Sequence, residues 1–430
     1  MKIGFISFAI PGHFNPMSAL ARQLQSRNHD VVMLSLSSVE SLARAAGLAF
    51  VPFAEKEFPA DKSGEILESL SRQKGPEGLQ FTVNAIAALN EVKWKALPNV
   101  LSSTGIDALV VDNCDFYGEI IPMRLGMPYA VVANALHFDY SGYTPLCVYD
   151  CAHENTPEAI KRNRQGVSKF TQILIDSNAE LIAQAERAGI KPNWADPSSL
   201  YSDRLSITQC PREFDFGSSH RPQHFHYAGP FHEGKGRLDF PFPWDQLTGE
   251  PIVYASMGTI QVGNADVFNI IATAAAKHKG LQLVLAIGNL LRPEQIGRVP
   301  KNAIVVNQAP QLELLKKASV CITHAGFNTV LEALTQGVPQ IAIPVTNDQP
   351  GVAARIADKE TGKATSLDSL NVSKLSTLLD EVLNNPLYRD NSRRIQKAIA
   401  EKNGISVAAD LLEQTFGLTR STESSVQKTA

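Results

Sequence analysis

The stretch 319–349, SVCITHAGFNTVLEALTQGVPQIAIPVTNDQ, narrows the choice of folds more than any other part of the chain. Residues 319–323 read as a buried strand, and residues 330–336 have helical spacing that stops at Gly337, with Pro339 just beyond. A second strand is expected at 340–343, so the loop 324–329 is a strand-to-helix crossing of a parallel unit. Such a crossing aims free backbone N–H groups and the positive end of the helix dipole at whatever sits above it, which suits a phosphate or diphosphate. His324 adds a side-chain donor there, and Gly326 permits close backbone approach. Asp348 and Gln349 stand together beyond the next strand, a carboxylate acceptor beside an amide that both donates and accepts. A polyhydroxylated group attached to a diphosphate would use both places.

The same alternation of strand and helix occurs twice along the chain. In the first half, strands are expected at 3–7, 31–36, 49–52, 107–112 and 127–133, with a helix over 16–27 that Asn15 caps and Pro16 begins. The second series starts after Pro251, with strands at 252–256, 281–287 and 305–307, a loop at 257–264 and a helix at 265–278. A helical region over 373–415 closes it. This pattern predicts an α/β protein built on doubly wound parallel sheets, and 430 residues suggest two or three domains. Ligands in such sheets bind beyond the carboxyl ends of the strands. His13 follows the first strand and Asp112 ends a later one, so both are expected in one crevice. An imidazole beside a helix N-terminus is expected to have a lowered pKa, which keeps it neutral and able to take a proton near pH 7.

A formal charge of −3 over the whole chain argues against nucleic acid as a partner and favours neutral or lipophilic small molecules. The five cysteines lack paired CxxC spacing, which points to neither a disulfide framework nor zinc and suits a cytoplasmic setting. No apolar run approaches a membrane span, although peripheral membrane contact stays open. His224 and His226 would share a face if Phe225 lies in a strand, but no nearby Cys or carboxylate cluster completes a metal site. The region 134–203, with Phe138, Tyr140, Tyr143, Tyr149, Phe170 and Trp194, is expected to wall a ligand together with residues 58–94. Each single aromatic there also reads as ordinary core.

The string His324-Ala-Gly-Phe-Asn328-Thr329, followed by Glu332, Gly337, Pro339, Pro344 and Asp348-Gln349, resembles the donor signature of family 1 nucleotide-sugar glycosyltransferases. The likeness runs from Met1 to about Phe416 and is strongest to the bacterial branch that includes carotenoid and macrolide glucosyltransferases. The resemblance implies a GT-B fold of two Rossmann-like domains facing across a cleft. It divides the chain into an acceptor-binding domain with the catalytic base (1–232), a linker (233–250), a donor domain (251–400), a helix returning to the first domain (401–416) and a polar tail (417–430). His13 and Asp112 match the catalytic base and the acid that orients it. Ser256, Gly258 and Thr259 resemble a second phosphate-side loop beside His324, Gly326, Asn328 and Thr329. Gln308, Ala309 and Gln311 fall on the nucleotide side, although many relatives place an aromatic at the position of Gln308 to stack on uracil. Glu332 would bind the ribose hydroxyls, but Thr329-x-x-Glu332 is also a capping box; if Asn328 caps the helix instead, Glu332 is released for the ligand, so which residue caps decides its use. Asp348 and Gln349 would hold the sugar, and the glutamine suggests glucose.

The expected activity is therefore inverting transfer of a hexose, without metal or separate cofactor, from a UDP-sugar to a hydroxyl of a lipophilic or aromatic small molecule. Two rivals belong to other classes. A dinucleotide-dependent oxidoreductase would need G-x-G-x-x-G at the first crossing, which instead reads Ala9-Ile-Pro-Gly-His13. A catalytically silent GT-B partner protein would keep the fold and dispense with the base, whereas both His13 and Asp112 are present.

Overall fold

The computed structural model describes residues 1–218, 220–258 and 265–418. Its first half holds seven strands: β1 (Lys2–Ile6), β2 (Asp30–Ser35), β3 (Ala49–Pro52), β4 (Ala108–Asp112), β5 (Tyr129–Ala133), β6 (Ser206–Thr208) and β7 (Phe225–Tyr227). They pair in parallel in the order β3-β2-β1-β4-β5-β6-β7. The second half holds β8 (Ile252–Ser256), β9 (Gln282–Ala286), β10 (Ile304–Val306), β11 (Ala318–Thr323), β12 (Gln340–Ala342) and β13 (Gly362–Ala364), in the order β10-β9-β8-β11-β12-β13. Central strands β4, β8 and β9 are buried along their whole length, as helices on both faces require.

Each sheet reverses its winding beside its first strand, between β1 and β4 and between β8 and β11. Ile6 pairs with Val111 at the first switch, and Thr323 pairs with Ser256 at the second. The first helical turn after β1, which carries His13, and the loop after β11, which carries His324, therefore leave the two sheets at their topological switch points, the place where such sheets bind ligands.

Three local features differ from the sequence expectation. The first helix runs Pro11–Ser26, so it starts a turn early, at Pro11 with Ile10 as an N-cap that offers no side-chain bond, and Pro16 lies inside it. Strands β6 and β13 carry only three residues each, too few for a period to register. The closing helical region is three helices, Val372–Asn384, Pro386–Ala400 and Gly404–Phe416, each begun by an asparagine whose side chain accepts a backbone N–H. The last of these packs Ala408, Ala409, Leu412 and Phe416 into the core that holds Phe14, Met17, Leu20 and Leu24 of the first helix. Arg27 adds bonds of 2.7 Å to Asp410 and 2.9 Å to Glu413 across that contact. Among the described residues no helix is long and apolar enough to cross a membrane.

Candidate active site

A cavity of about 1080 Å³ lies between the two sheets. His13, Ser256, Gly258, Gln308, Ala309, Gln311, His324, Gly326, Asn328, Thr329, Glu332, Asp348 and Gln349 all line it. Thr259 and the rest of the 259–264 loop lie outside the described residues.

On the first-sheet side, His13 Nδ1 sits 2.8 Å from Asp112 Oδ2. The Asp112 carboxylate is 1 % exposed and also takes the Asn134 amide at 2.9 Å and the backbone N–H of Cys114 at 3.1 Å. With Nδ1 on the carboxylate, Nε2 is the nitrogen left for a ligand proton. Burial pushes the His13 pKa down, but the charges of Asp112 and Asp348 and the hydrogen bond to Asp112 outweigh it, so the net shift is upward. The expected lowering is thus corrected: the two carboxylates outweigh burial. Asp115, three residues on, is tied to Lys93 in a buried ion pair. Ligand atoms of His13, Asp112 and Cys114 lie within 4.8 Å of one another, a group of metal-ligating type, which His224 and His226 do not join among the described residues.

On the second-sheet side, the helix Phe327–Thr335 opens into the cavity with Gly326 as N-cap and no side-chain cap. Its first N–H groups are free for a ligand. Burial drives the His324 pKa down to about 4 against a hydrogen bond with the Ser256 backbone, so the ring is neutral at pH 7. Two glycines clasp that ring: a Cβ on Gly326 would fall 2.2 Å from His324 Nε2, and one on Gly258 would fall 2.4 Å from Cε1. Gly326 thus serves the histidine as well as any ligand above it.

The capping question has an answer that neither sequence alternative contained. Asn328 turns away from its own helix and donates to the carbonyl oxygens of Gly12 and Asn134, both at 2.8 Å. Glu332, 3 % exposed, does not cap either; its oxygens meet Arg237 at 2.8 Å and the Gln311 amide at 2.5 Å. Burial opposes its ionisation, yet Arg237 and His232 hold the Glu332 pKa below the usual carboxylate range. Asp348 accepts from the Leu136 N–H at 2.8 Å, and burial raises its pKa. Gln349 uses its Oε1 on the N–H groups of Val345 and Thr346, which leaves Nε2 for a ligand.

The two halves are closed on each other by further bonds. Gly351 N–H donates to Cys147 O at 2.8 Å, and Arg355, 1 % exposed, sets both Nε and Nη2 2.8 Å from Asp215 Oδ1. Asp215 in turn meets Arg221 at 3.0 Å and His137 at 3.1 Å.

Away from His13 the cavity is apolar, with Phe58, Phe81 and Phe116 beside a set of aliphatic side chains. Ile66, Leu67 and Leu70 of one helix face Leu79, Ile86 and Leu89 of the next. Of the aromatics expected there from 134–203, Phe138 alone lines it; Phe170 stacks behind Phe138 at 5.5 Å, and Trp194 stacks on Tyr117 at 5.6 Å. They bury their faces against each other, as ordinary core aromatics do. Asn134 was missed by the sequence reading, although it follows β5 as closely as Asp112 ends β4. Arg237 was missed because a loop residue carries no periodic signal.

Residues 244–402 match the family described as "UDP-glucoronosyl and UDP-glucosyl transferase". Over 96 % of its length and 96 % of the relative's, the chain is 27 % identical to the zeaxanthin glucosyltransferase of Pantoea ananas. It is 28 % identical to the demethyllactenocin mycarosyltransferase of Streptomyces fradiae, over 96 % of this chain and 86 % of that one. Among solved structures, the glycotransferase of kitacinnamycin superposes with a TM-score of 0.73 at 20 % identity, covering 96 % and 98 % of the two chains. The spinosyn rhamnosyltransferase complexed with thymidine diphosphate gives 0.68 at 17 % identity, covering 96 % and 100 %.

Proposed function

We propose that this chain is a GT-B glycosyltransferase of family 1 and that it moves glucose from UDP-glucose to a hydroxyl of an elongated, lipophilic small molecule, with inversion and without a metal. A UDP-sugar donor and a small-molecule acceptor follow from the family. The observation that carries the rest is the 2.8 Å contact of His13 with Asp112 at the edge of a cavity whose opposite wall is the free helix start beside His324.

In this reading His13 Nε2 takes the proton of the acceptor hydroxyl as its oxygen forms a bond to the anomeric carbon. The bond from that carbon to the diphosphate oxygen breaks on the opposite face, and UDP leaves with the electron pair. Asp112 fixes the tautomer of His13 and stabilises the imidazolium that forms. The N–H groups of the helix Phe327–Thr335 and the neutral His324 ring would stabilise charge growing on the diphosphate. Asp348 and Gln349 Nε2 would hold the sugar hydroxyls. The aliphatic wall of Ile66, Leu70, Leu79 and Leu89 suits a lipid-like or polyene alcohol better than a compact polar one.

The test is incubation with UDP-glucose, with and without a chelator, and a panel of hydroxylated apolar acceptors, with products read by mass and by anomeric coupling. One added hexose in the β configuration, undiminished by the chelator, is expected. A product that retains the donor's α configuration would overturn the inverting mechanism, and the absence of any transfer by the chain alone would restore the silent-partner reading.

A further inference from the structure

The segment between β7 and β8 is more than a tether. At its near end Glu233 pairs with Arg22 at 3.3 Å, and Gly236 lies so close to the first domain that a Cβ would fall 2.6 Å from Arg22 Nη1 and 3.1 Å from Ala46 Cα. With φ of +75°, Gly236 also takes a backbone conformation that side chains resist. At its far end Phe242 and Leu247 pack on the second domain with Ile304, Leu314 and Leu315, beside Val306 and Ala309. Between these two anchors Arg237, Leu238 and Phe240 border the same cavity as Gln308, Ala309 and Glu332.

Two features of this crossing call for a ligand. Leu238 and Leu290 are among the most exposed large apolar side chains of the described residues, at 41 % and 45 %, and both border the cavity. Apolar side chains left open at the mouth of a pocket gain when a flat ring covers them. In addition, Arg237 and Gln311 each hold one oxygen of Glu332, and Tyr254 in turn holds Gln311 at 2.9 Å. Each Glu332 oxygen keeps a lone pair, so the carboxylate is fixed in place, charged, and still able to accept from a diol. Arg237 supplies the largest of the attractions that offset the cost of burying that charge.

We propose that this linker is a nucleoside strap: Arg237 positions Glu332 for the ribose hydroxyls, and Phe240, with Leu238 and Leu290, gives uracil the apolar face that Gln308 lacks. The proposal rests on the UDP-sugar reading of the same cavity. Arg237 is a positioning residue, since it acts through Glu332, whereas Phe240 would touch the base.

Calorimetric titration of the full chain with UDP, 2′-deoxy-UDP and pyrophosphate separates the parts. Wild type is expected to favour UDP over 2′-deoxy-UDP by about tenfold, the worth of one hydrogen bond to a charged group. Arg237→Ala should weaken UDP to the level of 2′-deoxy-UDP while leaving pyrophosphate unchanged, and Arg237→Lys should recover part of the preference. Phe240→Ala should weaken both nucleotides by about tenfold, within the usual worth of base stacking, again without effect on pyrophosphate. Phe240→Trp should restore them. Folded variants that bind UDP as wild type does, with the 2′-hydroxyl preference intact, overturn the strap while the donor reading stands. A wild-type chain that binds no UDP overturns the donor reading and the strap with it. If Arg237→Ala does not fold, the half-buried Phe240 still decides the base contact and Arg237→Lys the ribose contact.

Discussion

The side-chain amide of Asn328 reaches across the cleft and donates to the carbonyl oxygen of Gly12 at 2.8 Å. That carbonyl is available because the residue four positions on is Pro16, which has no N–H to return to it. A proline inside the first helix therefore creates an acceptor, and an asparagine of the other domain fills it one residue before His13. The helix start beside His324 and the turn that carries His13 are thus held by one side chain.

Asn328→Ala should accordingly separate positioning from binding. It removes both cross-cleft bonds, to Gly12 and Asn134, without touching His13 or Asp112. Turnover is expected to fall by about tenfold to a hundredfold, the scale of a misplaced catalytic group. Steady-state kinetics beside a thermal melt checks this; an unchanged kcat would remove Asn328 from the argument.

The raised pKa of His13 sets the acid side of the pH profile. A base must be deprotonated to act, so activity rises as pH passes through the pKa of the free enzyme. Because Asp112 and Asp348 lift that pKa above its ordinary 6.5, the midpoint of the acid limb of kcat/KM should lie above 6.5. Asp112→Asn removes the largest upward cause while burial stays, so the limb should move to lower pH as the rate drops by roughly a hundredfold or more. A limb that stays put in Asp112→Asn would assign it to another group.

His324 makes an opposite prediction for stability. Its folded pKa of about 4 lies below the ordinary histidine value of 6.5, so the neutral form favours the folded state. The stabilisation is complete above about pH 6.5 and is lost as pH falls toward 4, by about 2 kcal/mol for a ring at the cavity wall. Denaturant melts from pH 7 to 4.5 should show the slope, and His324→Gln should flatten it. His232, also driven to about 4 by burial, adds its own share in both proteins and leaves the difference intact.

Much of this architecture was legible because its signals are local. The 319–349 crossing announces itself through a buried strand and a turn of small residues, and the strand-end rule alone places His13 and Asp112 at neighbouring strands, as the pairing of Ile6 with Val111 requires. The rule applied equally to Asn134. What could not be read depends on partners distant in sequence. The free carbonyl of Gly12 matters only once Asn328 arrives from the other domain, and Arg237 lies in a stretch with no period at all. For the aromatics of 134–203, sequence shows ring faces without showing which are spent on one another, as Phe138 and Phe170 spend theirs, and which reach the cavity, as Phe138 also does.

Arg355 and Asp215 test how the closed arrangement is held. Both are almost wholly buried, and Arg355 belongs to the helix that Asp348 and Gln349 begin. Arg355→Met should cost about 3 kcal/mol or more, since it strips a buried carboxylate of its main partner. Arg221 and His137 remain on the other oxygen and keep the loss toward the lower end of that range. Chemical denaturation measures the stability, and a rise in the KM for the donor sugar should accompany it. A loss below about 1 kcal/mol would mark the pair as no better than a surface bridge.

Gly326→Ala isolates the histidine clasp from backbone strain. The φ of Gly326 is −60°, a value any residue adopts, so an added methyl meets no conformational penalty of its own. The atoms nearest to the new Cβ all belong to the His324 ring, the closest at 2.2 Å. The ring must swing out, and with it goes the donor beside the helix start. The expected result is a tenfold or larger loss of kcat/KM for the nucleotide sugar, about the worth of one preorganised donor, with helix content unchanged by circular dichroism. Gly258→Ala meets the same ring but starts from φ of +76°, so it should cost stability as well. Equal melting losses in the two variants would show that crowding of the ring, and not backbone conformation, sets both.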